Sequence, residues 1–396
     1  MSLPESENRN CNRQMVYVLY FGAFSSGLSI AGSNAAMGFM FLFFVYDLVR
    51  ERNLKGLSRD FNWITAMYGW KGVTTILNGA WGAFWEIREI WDKLPYVMIG
   101  KYRYTEKAVN TVFHTMFASN AALVVYALLQ KYFNVPWFFQ SLFSGDVRLI
   151  GYFGHPLHYG GFVSLVILAC FGLVFFYERK YAWYLPLLIT GLAMSGSRGY
   201  FIAVAVAVSA LAFLKSRKVF IATMVSIPTL VIGYAALFSG FRDRLANMFS
   251  SGVVGDRMNF WSIAWETFLQ NPFIGVGYEQ FTYLLRPYAE QGIITNSAHA
   301  HNLYLEELAE GGIVGGAIVT GLTVYFVYKY FSAYKANEGG ETLLKSLYAG
   351  LLGCFIVLAV GGIFEYHFGT AVVWIQITFL MGLAEGFRKM CSQEAS

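Results

Sequence analysis

The chain alternates long apolar runs with short basic turns, and once, from 239 to 312, it turns polar for a long stretch before the apolar pattern resumes. A spanning helix needs roughly 20 predominantly apolar residues. That ruler predicts transmembrane helices at 15–31, 34–49, 62–80, 109–130, 157–177, 181–194, 200–214, 219–238, 313–330, 343–364 and 370–387. Tryptophans such as Trp63, Trp81, Trp137, Trp183 and Trp374 fall near the ends of these runs, where amphipathic rings anchor at the membrane surface.

Loop lysines and arginines set orientation, because they collect on the cytoplasmic side. Arg9 and Arg13 precede the first run, and Arg50, Arg52, Lys55 and Arg59 follow the second, so both ends of this hairpin are expected in the cytoplasm. Counted from the other end, Arg388 and Lys389, then Lys329, Lys335 and Lys345, then Lys215, Arg217 and Lys218, then Arg179 and Lys180 mark cytoplasmic turns. The two counts differ by one crossing. A less apolar segment at 84–100, carrying Glu86, Arg88, Glu89, Asp92 and Lys93, removes the difference if it crosses; a re-entrant loop is the competing reading. The expectation is an all-α polytopic membrane protein of about twelve transmembrane helices with both termini cytoplasmic. The stretch 146–158, the turn Ser195-Gly196-Ser197-Arg198-Gly199 and the loop 239–312 then share the opposite, extracytoplasmic face.

Composition supports the membrane reading: 56% of residues are hydrophobic and only 13% charged, against about 25% charged in soluble domains. Mean hydropathy is +0.47. The net charge of +5 reports topology, and no basic-aromatic patch suggests nucleic acid. Cys11, Cys170, Cys354 and Cys391 have no CxxC spacing and avoid the long loop, which argues against a disulfide framework or zinc site. The apolar stretch after the polar amino terminus has no small-residue cleavage site and is expected to stay as a transmembrane helix.

Chemistry is expected where the polar features meet. Arg198 sits between two apolar runs, where a guanidinium costs roughly 2.5–3.5 kcal/mol at membrane depth. It either clamps phosphate oxygens with its planar fork or caps a helix end through backbone carbonyls or headgroups. Arg257 opens a segment whose Phe260, Trp261, Ala264, Trp265 and Phe268 form one helical stripe, as in a helix lying on the membrane. Asn271-Pro272 stops it, and Gly275 and Gly277 permit tight turns; without a strand-to-helix context this Gly-x-Gly is weak as a phosphate loop.

His299 and His301 would share a face of a strand but lie on nearly opposite faces of a helix, so a metal pair is not the default. One of them suits a general base near neutral pH, or caps the helix that starts at about Asn302. Glu306, Glu307 and Glu310 follow on that helix; one could orient the histidine or pair an arginine, or all three form a solvated face. Arg148, His155 and His158 make a smaller polar set, while Lys71, His114 and His367 read as satisfied polar groups on helices. The nucleotide-binding GxxxxGK[ST], zinc-binding HExxH and nucleophile GxSxG motifs are lacking, as is an extracytoplasmic Asp-x-Asp pair. What remains is a set of arginines plus a base, suited to transferring a group from an activated lipid diphosphate.

The ordered motifs, Arg148-x-x-Gly-x-Phe-x-His-Pro-x-x-Tyr-Gly, Ser197-Arg198-Gly199, Arg257-x-x-x-Trp261, Asn271-Pro272-Phe273-Ile274-Gly275-Val276-Gly277-x-x-x-Phe281, and His301-Asn302-x-x-Leu305 through Glu310-Gly311-Gly312-Ile313-Val314-Gly315, resemble the O-antigen ligase and polymerase superfamily of bacterial envelopes. The resemblance runs from Arg148 to the carboxyl end. It implies amino-terminal transmembrane helices over 1–147 and a catalytic membrane domain over 148–396, with a periplasmic loop, 239–312, containing short helices. It further implies a GT-C-type glycosyltransferase of the bacterial inner membrane that takes a glycan from undecaprenyl diphosphate on the periplasmic side, with no cofactor and no metal. Arg198 and Arg257 match the diphosphate-binding arginines and His301 the base that activates the acceptor hydroxyl for inverting attack. Arg148, Arg242, Arg244, His299 and Glu306 are supporting candidates. The acceptor is the lipid A core for a ligase, which the compact loop and His301-Asn302 favour, or another lipid-linked unit for a polymerase. A lipid-linked glycan transporter using the same arginines without breaking a bond is the reading from another class.

Overall fold

The structure is a computed structural model describing residues 13–51, 62–133, 135, 142–144, 148–246, 251–295, 299–337, 339 and 342–394. Arg9, Cys11, Arg52, Lys55, Arg59, Trp137 and Asp146 lie outside the described residues. The helices in chain order are α1 (Arg13–Leu28), α2 (Ile30–Glu51), α3 (Asn62–Leu77), α4 (Pro95–Gly100), α5 (Glu106–Phe133), α6 (Pro156–Phe176), α7 (Leu185–Ser195), α8 (Arg198–Lys215), α9 (Arg217–Leu237), α10 (Ser239–Ala246), α11 (Ser251–Gln270), α12 (Phe281–Glu290), α13 (Leu303–Ala336), α14 (Leu343–Gly361) and α15 (Ala371–Glu394). Two 3-10 helices, Trp81–Lys93 and Arg179–Tyr184, and one two-residue antiparallel pairing, β1 (Phe143–Ser144) with β2 (Arg148–Leu149), complete it. The chain is therefore all-α, as its apolar periodicity predicts.

Among the described residues, α2, α5, α6, α8, α9, α13, α14 and α15 are long and apolar enough to cross a membrane. Helices α1, α3 and α7 are shorter than the runs that predict them. The hairpin between the first two runs breaks at Ser29, earlier than the Gly32-Ser33 pair that separates them in sequence. A helix that is apolar on all sides belongs inside a bundle. Helix α6 fits this and sits at the centre, its Phe162, Val163, Leu165, Val166, Ile167 and Leu168 all buried. By contrast α9 has no buried residue and lies on the outside.

The segment 81–100 is not one continuous α-helix but a 3-10 helix, Trp81–Lys93, followed by α4. Within it Glu89 accepts a hydrogen bond from Tyr278 in the polar loop (2.8 Å). At its finish the Gly100 carbonyl accepts from Lys389 Nζ (2.5 Å), beside the basic carboxyl-terminal turn. Between them Thr378 Oγ1 of α15 donates to the Asp92 carbonyl (3.1 Å). Lys101 and Arg103 therefore lie near the basic residues Arg388 and Lys389 of α15.

Helix α13 breaks at Gly312, whose φ of 63° and ψ of −163° are not helical. This reproduces the expected division into a short helix ending near Gly311 and a long apolar helix starting at Ile313. The short part, with α10, α11 and α12, caps the end of the bundle where the polar loop lies.

Candidate functional site

The turn before α8 positions the first arginine. Gly196 takes the left-handed conformation that ends α7 (φ 63°). Arg148 Nε donates to the Ser195 carbonyl (2.9 Å) and Ser197 Oγ to the Pro156 carbonyl (3.0 Å), so the turn is braced against both β2 and α6. Arg198 then opens α8, where the free backbone N–H groups and helix dipole favour an anion. Arg257 comes from α11 and Glu365 from the connection between α14 and α15. Arg148, Arg198, Arg257 and Glu365 line one cavity of about 120 Å³, together with Ser197 and Tyr200. Among the described residues lining it, three guanidiniums stand against one carboxylate, a positive balance. Burial lowers the pKa of Arg257, against the pull of Glu365, and Arg198 lowers it further. An anionic ligand would relieve both effects.

A second, apolar groove of about 200 Å³ begins at the same residues. Gly196 and Arg198 line both spaces, and from there Ile189, Phe201, Val208 and Leu230 carry the groove along α7, α8 and α9.

The two histidines converge on the far side of Glu365. His299 Nε2 lies 3.3 Å from Glu365 Oε1 and His301 Nδ1 lies 3.4 Å from Oε2, with the ring centroids 4.3 Å apart. Their segment is neither strand nor helix. His301 has φ +50°, a left-handed conformation uncommon outside Gly, Asn, Asp and His, and this turns both rings toward one carboxylate. Several contacts hold it: Glu306 Oε2 accepts from the Ala300 N–H (2.5 Å), and His301 N–H donates to His299 Nδ1 (3.2 Å). Asn302 caps the next helix by accepting from Tyr304 N and Leu305 N (3.0 and 3.1 Å), and Leu303 N donates to the Gly362 carbonyl (2.7 Å).

Burial works to raise the pKa of Glu365, but the hydrogen bond with His301 and the charges of His299, His301 and Arg257 outweigh it and bring it down to about 2. Burial lowers His299 to about 4 despite the nearby carboxylate, so its ring is neutral at neutral pH. With Glu365 ionised beside His301 Nδ1, the tautomer favoured is Nδ1–H, which leaves the Nε2 lone pair to accept a proton.

The Asn-Pro-Phe-Ile-Gly-Val-Gly motif has a structural task. Val276 N and Gly277 N donate to the Ala309 and Glu310 carbonyls (both 2.9 Å), and Ile313 N donates to the Pro272 carbonyl (2.8 Å), so these N–H groups are spent on the break in α13. Gly275 (φ 69°) and Gly312 (φ 63°) are pressed backbone to backbone against Glu310 and Phe273, where a Cβ would collide. The pair explains why glycine stands at both positions.

The solvated-face reading of the glutamates is overturned: Glu306, Glu307 and Glu310 are all nearly inaccessible. The motif and the helix 303–311 bury this acidic run against α3, where each carboxylate finds a partner: Glu306 the Ala300 N–H, Glu310 the Phe281 N–H (3.3 Å) and Glu307 the Lys71 ammonium (3.5 Å). Lys71 and His114 are satisfied as expected, His114 by the Tyr184 hydroxyl (3.2 Å). His367 departs from expectation: it is fully buried, with no partner for either ring nitrogen among the described residues, and burial lowers its pKa to about 4. Arg242 is exposed beside Asp243 (3.6 Å) and does not line the cavity; the side chain of Arg244 lies outside the described residues. His155 caps α6 by accepting from Leu157 N (3.3 Å), with its ring 5.3 Å from that of His158. Burial and the neighbouring His158 lower its pKa.

Glu365 is the residue that sequence reasoning missed. It sits in a short connection between two apolar helices, in the sequence Phe364-Glu365-Tyr366-His367, and its signal was an acidic residue at the edge of a membrane helix.

Fold and site thus define a polytopic helical membrane protein with an arginine-lined anion cavity opening onto an apolar groove, beside a histidine–carboxylate cluster. Residues 183–320 match the family model described as O-antigen ligase, and this match supports the O-antigen ligase superfamily as the family of this chain. The matched region contains Arg198, Arg257, His299 and His301, whereas Arg148 and Glu365 fall outside it. No curated protein matches the chain.

Proposed function

We propose that this protein is an O-antigen ligase-like, GT-C-type glycosyltransferase of the bacterial inner membrane, moving a glycan from undecaprenyl diphosphate to a sugar hydroxyl of the lipid A core on the periplasmic side. The observation that carries the reading is the joining of two spaces at Arg198: a positive cavity sized for phosphate groups and an apolar groove leading into the bundle. An amphiphile with a diphosphate head and an isoprenoid tail has this division of chemistry. With the segment 84–100 taken as a twelfth crossing, the basic turns give both termini to the cytoplasm and the cavity to the periplasmic side.

In this mechanism Arg198 and Arg257 hold the diphosphate and stabilise the charge that develops on it as the glycosidic bond breaks. Arg148 braces the turn that carries Arg198. His301 Nε2 takes the proton from the acceptor hydroxyl as that oxygen attacks the anomeric carbon from the face opposite the leaving diphosphate, inverting the configuration. Glu365 keeps Nδ1 protonated and balances the imidazolium that forms. His299 and Glu306 hold the segment that carries the base. No step requires a metal or a nucleotide.

The decisive test gives the purified protein a lipid-linked glycan together with two competing acceptors, core lipid A and a second lipid-linked unit. The reading expects glycan on core lipid A. Extension of the lipid-linked unit instead would identify a polymerase, and movement of the donor across a bilayer without bond cleavage a transporter.

A further inference from the structure

Two imidazole nitrogens face the two oxygens of one buried carboxylate at Glu365. A charge-assisted bond between imidazole and carboxylate runs about 2.7–2.9 Å. Here both are longer, 3.3 Å from His299 and 3.4 Å from His301. The two nitrogens face different oxygens of the one carboxylate, His299 Nε2 facing Oε1 and His301 Nδ1 facing Oε2. One ligand atom from each of His299, His301 and Glu365 lies within 4.8 Å of the other two. The carboxylate is only 8% exposed and the two rings 25% and 20% exposed, so the group has a buried anchor with an accessible side. Two nitrogens and a carboxylate leave at least one position for water or an anion, the pattern of an open zinc site.

We propose that His299, His301 and Glu365 bind a divalent transition-metal cation of the zinc class, and that its binding switches the transfer reaction off. Coordination through His299 Nε2 moves that ring's proton to Nδ1 and gives up the hydrogen bond that Nδ1 accepts from His301 N–H; the switch rests on the role given to His301 above. A neutral imidazole carries one proton. With Glu365 beside Nδ1 the proton sits there and Nε2 is free to act as the base. A metal at Nδ1 takes that lone pair and moves the proton to Nε2, where the ring can donate but no longer accept. The metal-bound and catalytic states of His301 are mutually exclusive tautomers.

The surroundings also set which metal is admitted. Arg257 and Arg198 oppose a bare dication, and the site offers two nitrogens against one carboxylate. Magnesium and calcium, which take oxygen ligand sets, are therefore excluded, whereas zinc, cobalt and nickel, which favour imidazole, are not.

Cobalt(II) is the direct probe, because its visible absorption intensifies when it leaves the six-coordinate aqua ion for a four- or five-coordinate protein site. The full-length protein in detergent is titrated with Co²⁺, and in parallel with Zn²⁺ and Mg²⁺ by calorimetry. One Co²⁺ per chain with intensified bands, displaced by Zn²⁺ and untouched by Mg²⁺, is expected. His299→Ala, and the gentler His299→Gln should the first fail to fold, each weaken binding by about tenfold or more. Unchanged Co²⁺ spectra on adding protein, or equal affinity in wild type and both variants, would overturn the site. For the switch, Zn²⁺ should abolish glycan transfer reversibly, with EDTA restoring it, and His299→Gln should raise the inhibiting concentration by a similar factor. Full transfer with the site saturated would overturn the switch while leaving the site standing. A protein that binds Co²⁺ as described but transfers no glycan at all would refute the proposed function rather than the metal site.

Discussion

Glu365 lies 3.4 Å from His301 Nδ1, joining the connection between α14 and α15 to a histidine 64 positions earlier in the chain. Replacing it with glutamine keeps the shape and removes the charge. Glu365→Gln is expected to lower kcat by about 10²- to 10⁴-fold, the range for losing effective general-base catalysis, with little change in KM for the donor. Steady-state kinetics on the lipid-linked donor checks this; unchanged kcat would remove Glu365 from the mechanism.

Arginine and lysine are not equivalent where a planar fork grips phosphate oxygens. For Arg257→Lys, which keeps the charge but loses the fork, transfer should fall by about 10²-fold, on the scale of losing one preorganised donor to a developing anion. Arg242→Lys, at an exposed residue outside the cavity, should leave the rate within about twofold. Comparable losses in the two variants would contradict the placement of the diphosphate.

Lys71 and Glu307 form a buried pair, 5% and 4% exposed, that ties α3 to the short helix carrying Glu306 and Glu310. Removing one partner leaves the other buried and uncompensated, at a cost of about 3–5 kcal/mol. Lys71→Met should therefore depress the unfolding transition followed by tryptophan fluorescence, and the double variant Lys71→Met/Glu307→Gln should recover much of the loss. Additive losses would show that the pair is not coupled.

Much of this architecture is written in the apolar pattern, and the reasons for the exceptions are local. The break in α13 is announced by Glu310-Gly311-Gly312, and the α7–α8 turn by Ser195 to Gly199, because glycine is needed where φ becomes positive. The segment 84–100 stands out only through the charge count, since its 3-10 geometry and acidic residues hide it from a hydropathy ruler. The arginines and His301 stand out in the sequence because polar residues between apolar runs are conspicuous. Glu365 does not, and neither does the burial of three consecutive-turn glutamates: their partners, His301, Lys71 and the Ala300 and Phe281 N–H groups, are brought to them only by tertiary packing. The convergence of His299 and His301 was equally hidden, because it depends on the left-handed backbone of a single non-glycine residue.

The roles given to the arginines and the histidine leave no step that consumes a metal ion. Glycan transfer should be unaffected by excess EDTA, and a preparation carrying adventitious zinc should become faster. Loss of activity on chelation, restored by a divalent cation, would contradict both the mechanism and the inhibitory role of the metal.

The most direct measurement of the central claim is the rate of glycan transfer by purified wild type and His301→Ala in the same membrane system, with donor binding followed separately. Removal of the base is expected to lower the rate by about 10²- to 10⁴-fold while donor affinity stays within about twofold, because Arg198 and Arg257 remain. Full transfer by His301→Ala would contradict it.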